Sequence, residues 1–274
     1  MNQREADEIR QNVRASYAEV AEASNEGSSC GVESSCCGVA DDSSINAVNS
    51  VRMGYSEEEV SSVPHGADMG LGCGNPRAIA SLQAGEVVLD LGSGGGFDAF
   101  LAVVEVGSTG RVIGVDMTPT MISKARINAE KAGHANVEFR LGEIEYLPIA
   151  DASIDIIISN CVINLSPEKL RVFREAWRVL KPGGRLAISD VVASVELPAD
   201  IREDLALYSG CVAGASLVDD LETMMKNAGF IDVRISPKDT SKAFIKDWAP
   251  GEGVEDYVQS ATIEALKPVL KACC

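Results

Sequence analysis

The sequence predicts a doubly wound α/β fold around a mostly parallel sheet, and three observations predict it. Strand-like and helix-like segments alternate from Glu86 to Ser189, the pattern of repeated βαβ units. The first strand runs straight into a glycine-rich turn, Asp90-Leu-Gly92-Ser-Gly94-Gly-Gly96. The second ends on a carboxylate, Asp116, at about the 20-residue offset from the first glycine where a ribose-binding acid is placed in such folds.

Ile9, Val13, Tyr17, Val20 and Ala21 recur at helical spacing among charges and predict a helix over 4–23. From Ala23 to Ser50 the composition turns to Ser, Gly, Asn, Asp and Cys, which predicts a mobile loop holding Cys30, Cys36 and Cys37. Ser56 followed by Glu59 is a capping signal for a short acidic helix over 56–62, broken by Gly70-Leu-Gly-Cys-Gly-Asn-Pro76. The regular part follows. Strands are expected at Glu86–Leu91, Arg111–Val115, Val137–Arg140, Ile154–Ser159 and Arg185–Ser189, and helices at Phe97–Val106, Thr120–Ala132 and Pro167–Leu180. Residues 191–229 read as mainly helical, with late strands at Ile231–Ile235 and Ala243–Ile245. The expected division is an N-terminal helix with a cysteine-containing loop (1–64), an α/β core (65–190) and a C-terminal region that completes the sheet and covers a substrate site (191–274).

The chain has 274 residues, 24 Lys and Arg against 41 Asp and Glu, and a formal net charge of −17. Such a surface repels phosphate backbones and anionic headgroups, so neither nucleic acid nor membrane is expected as a partner. The charged start Met1–Arg10 lacks the apolar stretch of a secretory signal, and no run approaches the ~18 apolar residues of a membrane span. A cytoplasmic monomer is expected. In that compartment eight cysteines point to metal binding or catalysis rather than disulfides, and no C-x-x-C pair marks a local zinc site.

A glycine turn alone is weak evidence, since it can be no more than a tight strand–helix connection; with Asp116 it becomes a nucleotide-site pattern. Asp90–Gly96, Gly114-Val-Asp116-Met117, Gly142-Glu-Ile-Glu-Tyr-Leu-Pro148 and Leu180-Lys-Pro-Gly-Gly184 together resemble the class I, Rossmann-like S-adenosylmethionine-dependent methyltransferases over about 65–240. The resemblance implies that Asp90, Gly92, Gly94 and Gly96 form the methionine end of the donor site. It also implies that Asp116 binds the ribose, Met117 packs on adenine, Glu143 with Ile144 reads the adenine amine, and Asn160 closes the site.

A methyl acceptor at carbon, oxygen or nitrogen usually needs a general base, and the chain has only His65 and His134. Cysteines stand at the substrate edge instead: Cys161 after a central strand, Cys211 in the insertion after the fifth strand, Cys73 in the loop before the first. Each alone reads as a small buried hydrophobe. Three thiols match a soft or borderline-soft centre; zinc would usually add a fourth ligand, whereas trivalent arsenic bonds three sulfurs and keeps a nucleophilic lone pair. Leu71-Gly-Cys73-Gly-Asn-Pro, Ser159-Asn-Cys161-Val-Ile-Asn-Leu165, Ser209-Gly-Cys211-Val-Ala-Gly214 and Asp190–Pro198 resemble the motifs of arsenite methyltransferases. That family implies As(III), taken as arsenite or its thiol conjugate, bound by Cys73, Cys161 and Cys211. It implies in-line methyl transfer in arsenic detoxification, and an upstream cysteine, Cys30 by position with Cys36 and Cys37 as rivals, exchanging disulfides with a thioredoxin or glutathione system. The pairs Cys36-Cys37 and Cys273-Cys274 read either as arsenite-capturing thiols or as bystanders. Thiolate ligation predicts activity lost on oxidation and at acid pH. Two other functions fit less of the pattern: a methyltransferase acting on a quinone, sterol or amine, and a non-catalytic thiol protein that sequesters arsenic or zinc.

Overall fold

The computed structural model describes residues 3–23 and 42–269. Helix α1 (Gln3–Ala23) buries Ala6, Val13 and Ala21 along one face. Helix α2 (Asp42–Arg52) occupies the end of the stretch expected to be loop. Its Ile45, Val48 and Val51 do recur at near-helical spacing, but Ser and Asn between them hide the period, and the three remain exposed. Helix α3 (Glu57–Ser62) starts on the expected capping box: Glu59 N–H donates to Ser56 Oγ at 3.1 Å and Ser56 N–H to the Glu59 carboxylate at 2.7 Å. A single turn, α4 (Arg77–Ala80), precedes the sheet.

The alternating core then runs β1 (Val87–Leu91), α5 (Phe97–Val106), β2 (Arg111–Asp116), α6 (Pro119–Ala132), β3 (Val137–Leu141), β4 (Ile154–Asn160), α7 (Lys169–Val179) and β5 (Leu180–Ala193). Beyond it lie α8 (Ala199–Glu203), α9 (Leu205–Ser209), the two-residue β6 (Ser216–Leu217), α10 (Val218–Ala228), β7 (Ile231–Pro237), α11 (Lys242–Ile245) and β8 (Val258–Leu266). The strand order is β3-β2-β1-β4-β5-β8-β7, with β6 attached to β5. All neighbours are parallel except β8, which runs antiparallel to both β5 and β7. This is the class I methyltransferase architecture, a mostly parallel doubly wound sheet with an N-terminal helix.

Two differences from expectation concern the C-terminal part. Ala243–Ile245 is not a strand but lies in α11, and the missing sheet partner is β8. β8 lies between two strands and is buried over most of its length, so it lacks the in–out alternation that marks a strand from sequence. β5 also runs well past Arg185–Ser189, since Val191, Val192 and Ala193 continue its pairing with β8.

Both sheet faces are covered. Val172, Phe173 and Ala176 of α7 and Leu221 and Met225 of α10 pack on one, Phe100 and Val103 of α5 and Ile122 of α6 on the other. Between them β4 buries Ile154, Ile156, Ile157 and Ile158 completely. A third apolar cluster lies over the carboxyl edge of the strands and contains Val13, Leu165, Val191, Tyr208 and the three cysteines 73, 161 and 211. Helix α1 closes over this edge. Arg10, 5% exposed, reaches Glu145 at 3.2 Å and also engages Glu168, while Arg14 donates to Glu143 at 3.1 Å.

Arg10→Ala leaves the buried Glu145 carboxylate without its guanidinium, a loss of about 3–5 kcal/mol for a broken buried pair. The expected result is faster amide exchange throughout α1 with protection in β1 and β4 retained; unchanged α1 protection would refute the latch.

Candidate functional site

At the carboxyl edge of β1 and β2 the chain turns through Gly92 into α5 and opens a cleft. Gly92 has φ 67°, and a Cβ there would stand 2.3 Å from Val162, so no side chain fits without moving the opposite wall. Asp116 ties this loop to β2: its carboxylate accepts from Gly94 N–H at 3.0 Å and from Thr118 N–H at 2.8 Å, while burial pushes its pKa up. Asp90 lies deeper in the wall, its pKa pushed well up by burial and by Asp98, and its Oδ2 has no hydrogen-bond partner. A buried carboxylate oxygen left open in a cleft wall is a place for a ligand's N–H or O–H.

Seven of the nine expected donor-site residues form this wall: Asp90, Gly92, Gly94, Asp116, Met117, Ile144 and Asn160. Gly96 and Glu143 stand outside it. Gly96 caps α5 with φ 96° and supports the loop from behind, and the Glu143 carboxylate is engaged by Arg14.

The three cysteines come from three segments. Cys73 sits between Gly72 and Gly74, and a Cβ at Gly74 would fall 2.1 Å from Ser189 Oγ, so any larger residue there must displace that hydroxyl. Its N–H donates to Asn160 Oδ1 at 3.1 Å and its carbonyl accepts from Ser260 Oγ of β8 at 2.6 Å. The Asn160 Nδ2 donates to Gly74 O at 2.8 Å, to Tyr55 OH at 3.0 Å and to Asp98 at 3.3 Å, and Tyr55 OH donates to Asp98 at 2.6 Å. Cys161 follows Asn160 directly with φ 57°, and Cys211 follows α9 with φ 64°. Left-handed backbone at two non-glycine residues is a strain that packing must hold.

That packing is visible. Asp190 accepts from Ile163 N–H at 2.8 Å and Val191 N–H at 2.7 Å, and Asn164 donates to Asp190 at 3.0 Å, to Val191 O at 2.6 Å and to Cys211 O at 3.4 Å. The Cys211 thiol donates to Cys161 O at 2.8 Å. The Cys73 and Cys161 sulfurs lie within 4.8 Å of each other, and Cys211 packs in the same cluster. These neighbours, with burial, push the Cys161 pKa well up, and burial does the same to Cys73. All three cysteines are buried, and Cys161 alone of them forms part of the cleft wall.

Cys30, Cys36, Cys37, Cys273 and Cys274 fall outside the described residues. Neither histidine is in the cleft: His65 is exposed, and His134 stacks on Phe100 on the far side of α5. Sequence reasoning missed Tyr17, Tyr55, Asp98, Asn164 and Ser260. Tyr17, on α1, lines the cleft and donates to Ser209 O at 3.3 Å beside Cys211. Asn164 lies inside the motif around Cys161, but nothing in that motif shows its role; the other four carry no local motif, and only the fold brings them to the cysteines.

Comparison with known proteins agrees with the geometry. A family model described as a methyltransferase domain matches residues 82–229. The arsenite methyltransferase of Halobacterium salinarum is 53% identical over 97% of this chain and 68% of its own length. The chain belongs to the arsenite methyltransferase family. A bacterial member, from Aquipseudomonas alcaligenes, is 47% identical over 60% of this chain and 49% of that protein, so the chain matches about half the length of this relative. Among solved structures, the arsenic(III) S-adenosylmethionine methyltransferase of Chlamydomonas reinhardtii superposes with a TM-score of 0.60 at 35% identity, covering 83% of this chain and 75% of that one. The orphaned Asp90 oxygen beside the glycine loop fits the cationic amino acid end of S-adenosylmethionine.

Gly92→Ala forces a side chain into left-handed backbone and into the Val162 wall, a strain of about 1–2 kcal/mol for the backbone alone. Titration with S-adenosylhomocysteine is expected to show at least a tenfold loss of affinity, since ~1.4 kcal/mol is a factor of ten. An unchanged affinity would remove Gly92 from the donor site.

Proposed function

We propose that the chain transfers the methyl group of S-adenosylmethionine to As(III) held by Cys73, Cys161 and Cys211, giving methylated arsenicals and S-adenosylhomocysteine. One observation carries this reading: three cysteines from distant segments meet in a buried apolar cluster, and Cys161 alone among them opens on the donor cleft. Bound S-adenosylmethionine supplies an electrophilic methyl carbon. The protein's part is to present a nucleophile without proton transfer. Sulfur-bound As(III) keeps a lone pair, so the absence of a histidine from the cleft is no obstacle. Holding donor and acceptor in line in this way is worth roughly 7–11 kcal/mol of barrier.

Cys211 must turn its thiol from the Cys161 carbonyl toward the other sulfurs to complete a three-sulfur site. Cys73 and Cys161, with raised pKa values, are thiols near neutrality. Neutral As(OH)₃ condenses with thiols by expelling water, with no net proton released. This replaces the simple acid loss expected of thiolate ligation: equilibrium affinity for arsenite stays level from about pH 6 to about pH 8, below the usual thiol range, while the rate of capture rises with pH as thiolate becomes available.

After transfer the arsenic is pentavalent, and two electrons from a pair of thiols return it to the trivalent state, leaving a disulfide. We assign this step to Cys30, with Cys36 and Cys37 as alternatives, and regeneration to a thioredoxin or glutathione system. The division into 1–64, 65–190 and 191–274 follows these roles: exchange thiols, donor site, acceptor cover. No described helix is long and apolar enough to cross a membrane. A cytoplasmic monomer acting in arsenic detoxification is the setting we propose, and the −17 charge does not oppose a neutral arsenical.

Purified protein given arsenite, labelled S-adenosylmethionine and excess thiol is expected to release labelled methylarsenicals, with the yield falling at least a hundredfold in Cys161→Ser and Cys211→Ser. Label transfer to an organic acceptor, with none to arsenite, would reassign the acceptor. Arsenite binding without donor binding would reduce the chain to a thiol trap.

A further inference from the structure

One contact in the acceptor pocket has no part in three-sulfur arsenic binding. The Cys73 and Cys161 sulfurs and a carboxylate oxygen of Asp190 all lie within 4.8 Å of one another. The three residues are buried, at 1%, 8% and 1% exposure. No Lys or Arg forms an ion pair with Asp190 among the described residues; the amine of Lys169, whose charge Asp190 feels, donates to Ser166 O at 3.5 Å instead. Asp190 Oδ1 accepts two hydrogen bonds, from Val191 N–H and Asn164, whereas Oδ2 accepts one, from Ile163 N–H, and keeps a lone pair.

We propose that this pocket is also a binding site for a thiophilic divalent cation of the zinc and cadmium class, held by Cys73, Cys161 and Asp190. Two sulfurs and a carboxylate are a donor set for a borderline-soft dication, with Cys211 or water as the fourth ligand. Tetrahedral zinc, at about 2.3 Å from sulfur and about 2.0–2.2 Å from oxygen, sets its ligands roughly 3.4–3.8 Å apart. The three ligand atoms, within 4.8 Å of one another, stand about an ångström from that spacing. On binding, the two thiols give up two protons to solvent and two metal–sulfur bonds form; no electron moves. The dication, two thiolates and one carboxylate sum to −1, and the carboxylate feels the charge of Lys169.

The carboxylate distinguishes the two occupants. As(III) completes its three bonds with sulfur and directs a lone pair at the methyl group, so Asp190 contributes to it only through the backbone it holds. The dication needs the carboxylate as a ligand. A bound cation takes Cys161, the sulfur on the cleft wall, and so excludes arsenite while leaving the donor site open. Zinc or cadmium is therefore a chelator-reversible inhibitor, competitive with arsenite and not with S-adenosylmethionine.

The site is tested in the full-length chain carrying Cys30→Ser, Cys36→Ser, Cys37→Ser, Cys273→Ser and Cys274→Ser, so that the pocket thiols alone remain. Reduced, chelator-treated protein is titrated with Cd²⁺ alone, following thiolate-to-cadmium absorbance, and the Zn²⁺-loaded form is examined by X-ray absorption. One cadmium per chain and a zinc shell of mixed sulfur and oxygen are expected. No binding, or a shell of sulfur only, overturns the site. Asp190→Asn is expected to weaken cadmium at least tenfold more than it weakens arsenite, since both lose the backbone support but only cadmium loses a ligand. Equal loss of both overturns the carboxylate's role as a ligand. The absorption spectrum keeps Asp190 intact, so the test survives even if that variant folds poorly. Neither cation measurement uses arsenite or methyl donor, so failure here is distinct from failure of the arsenite reading.

Discussion

Asn160 ends β4, and its side-chain amide is shared among segments that are far apart in sequence. It accepts from Cys73 N–H and donates toward the Gly74 carbonyl, Tyr55 and Asp98. Through these bonds the last residue of a central strand fixes the loop before β1, the start of α5 and the turn that carries Cys161. A parallel sheet makes this possible because the ends of β1 and β4 emerge side by side, with Leu91 paired to Ser159. Take the amide away and Cys73 has no anchor toward the donor cleft. Its remaining attachment is the Ser260 hydroxyl on β8, on the other side.

The acceptor pocket is built as core, not as a charged cavity. The cysteines share a cluster with Leu165, Val191, Tyr208 and Val258; burial raises the pKa of Cys73 and Tyr17, and the neighbouring thiols together with burial raise that of Cys161. Protonated thiols in an apolar cluster carry little desolvation cost, so the empty pocket is stable without a bound ion. The arrangement favours an acceptor that enters neutral and leaves water behind. A dication must instead displace protons from the same thiols, so Asp190 and Lys169 matter to it far more than to arsenic. Buried acids line the donor side as well, where Asp90, Asp98 and Asp116 have pKa values raised by burial and a cationic ligand would favour their ionised forms.

Much of this was legible from sequence wherever local rules suffice. The βαβ core follows from β-branched runs such as Ile154–Ile158 bounded by turns, and the glycine loop with Asp116 marks the donor cleft because the strand–turn–helix needs those residue types there. The motifs around Cys73, Cys161 and Cys211 pointed to one pocket through family resemblance; periodicity alone places each of them in the core. Helix α2 was hidden by its Ser and Asn content, and β8 by its burial, which removes the alternation that reveals a half-exposed strand. Tyr55 and Ser260 act through tertiary contacts tens or hundreds of residues away and leave no short-range pattern to find, while Asn164 stands in the Cys161 motif but shows its role only through contacts with Asp190, Val191 and Cys211.

The backbone at the two cysteines joins these themes. Cys161 at φ 57° and Cys211 at φ 64° adopt a conformation that costs a non-glycine residue about 1 kcal/mol or more, although glycine would adopt it freely. The strain is held by Asn164, whose amide spans the Asp190 carboxylate and the Val191 and Cys211 carbonyls, and by Asp190, which receives the backbone at both Ile163 and Val191. Sulfur chemistry accounts for the choice of cysteine over glycine. Left-handed turns at both residues leave their side chains in the one buried cluster with Cys73. The buried Asp190–Asn164 pair is thus the mechanical counterpart of the thiols, and its carboxylate lies close enough to the sulfurs to become a ligand itself when the occupant is a cation.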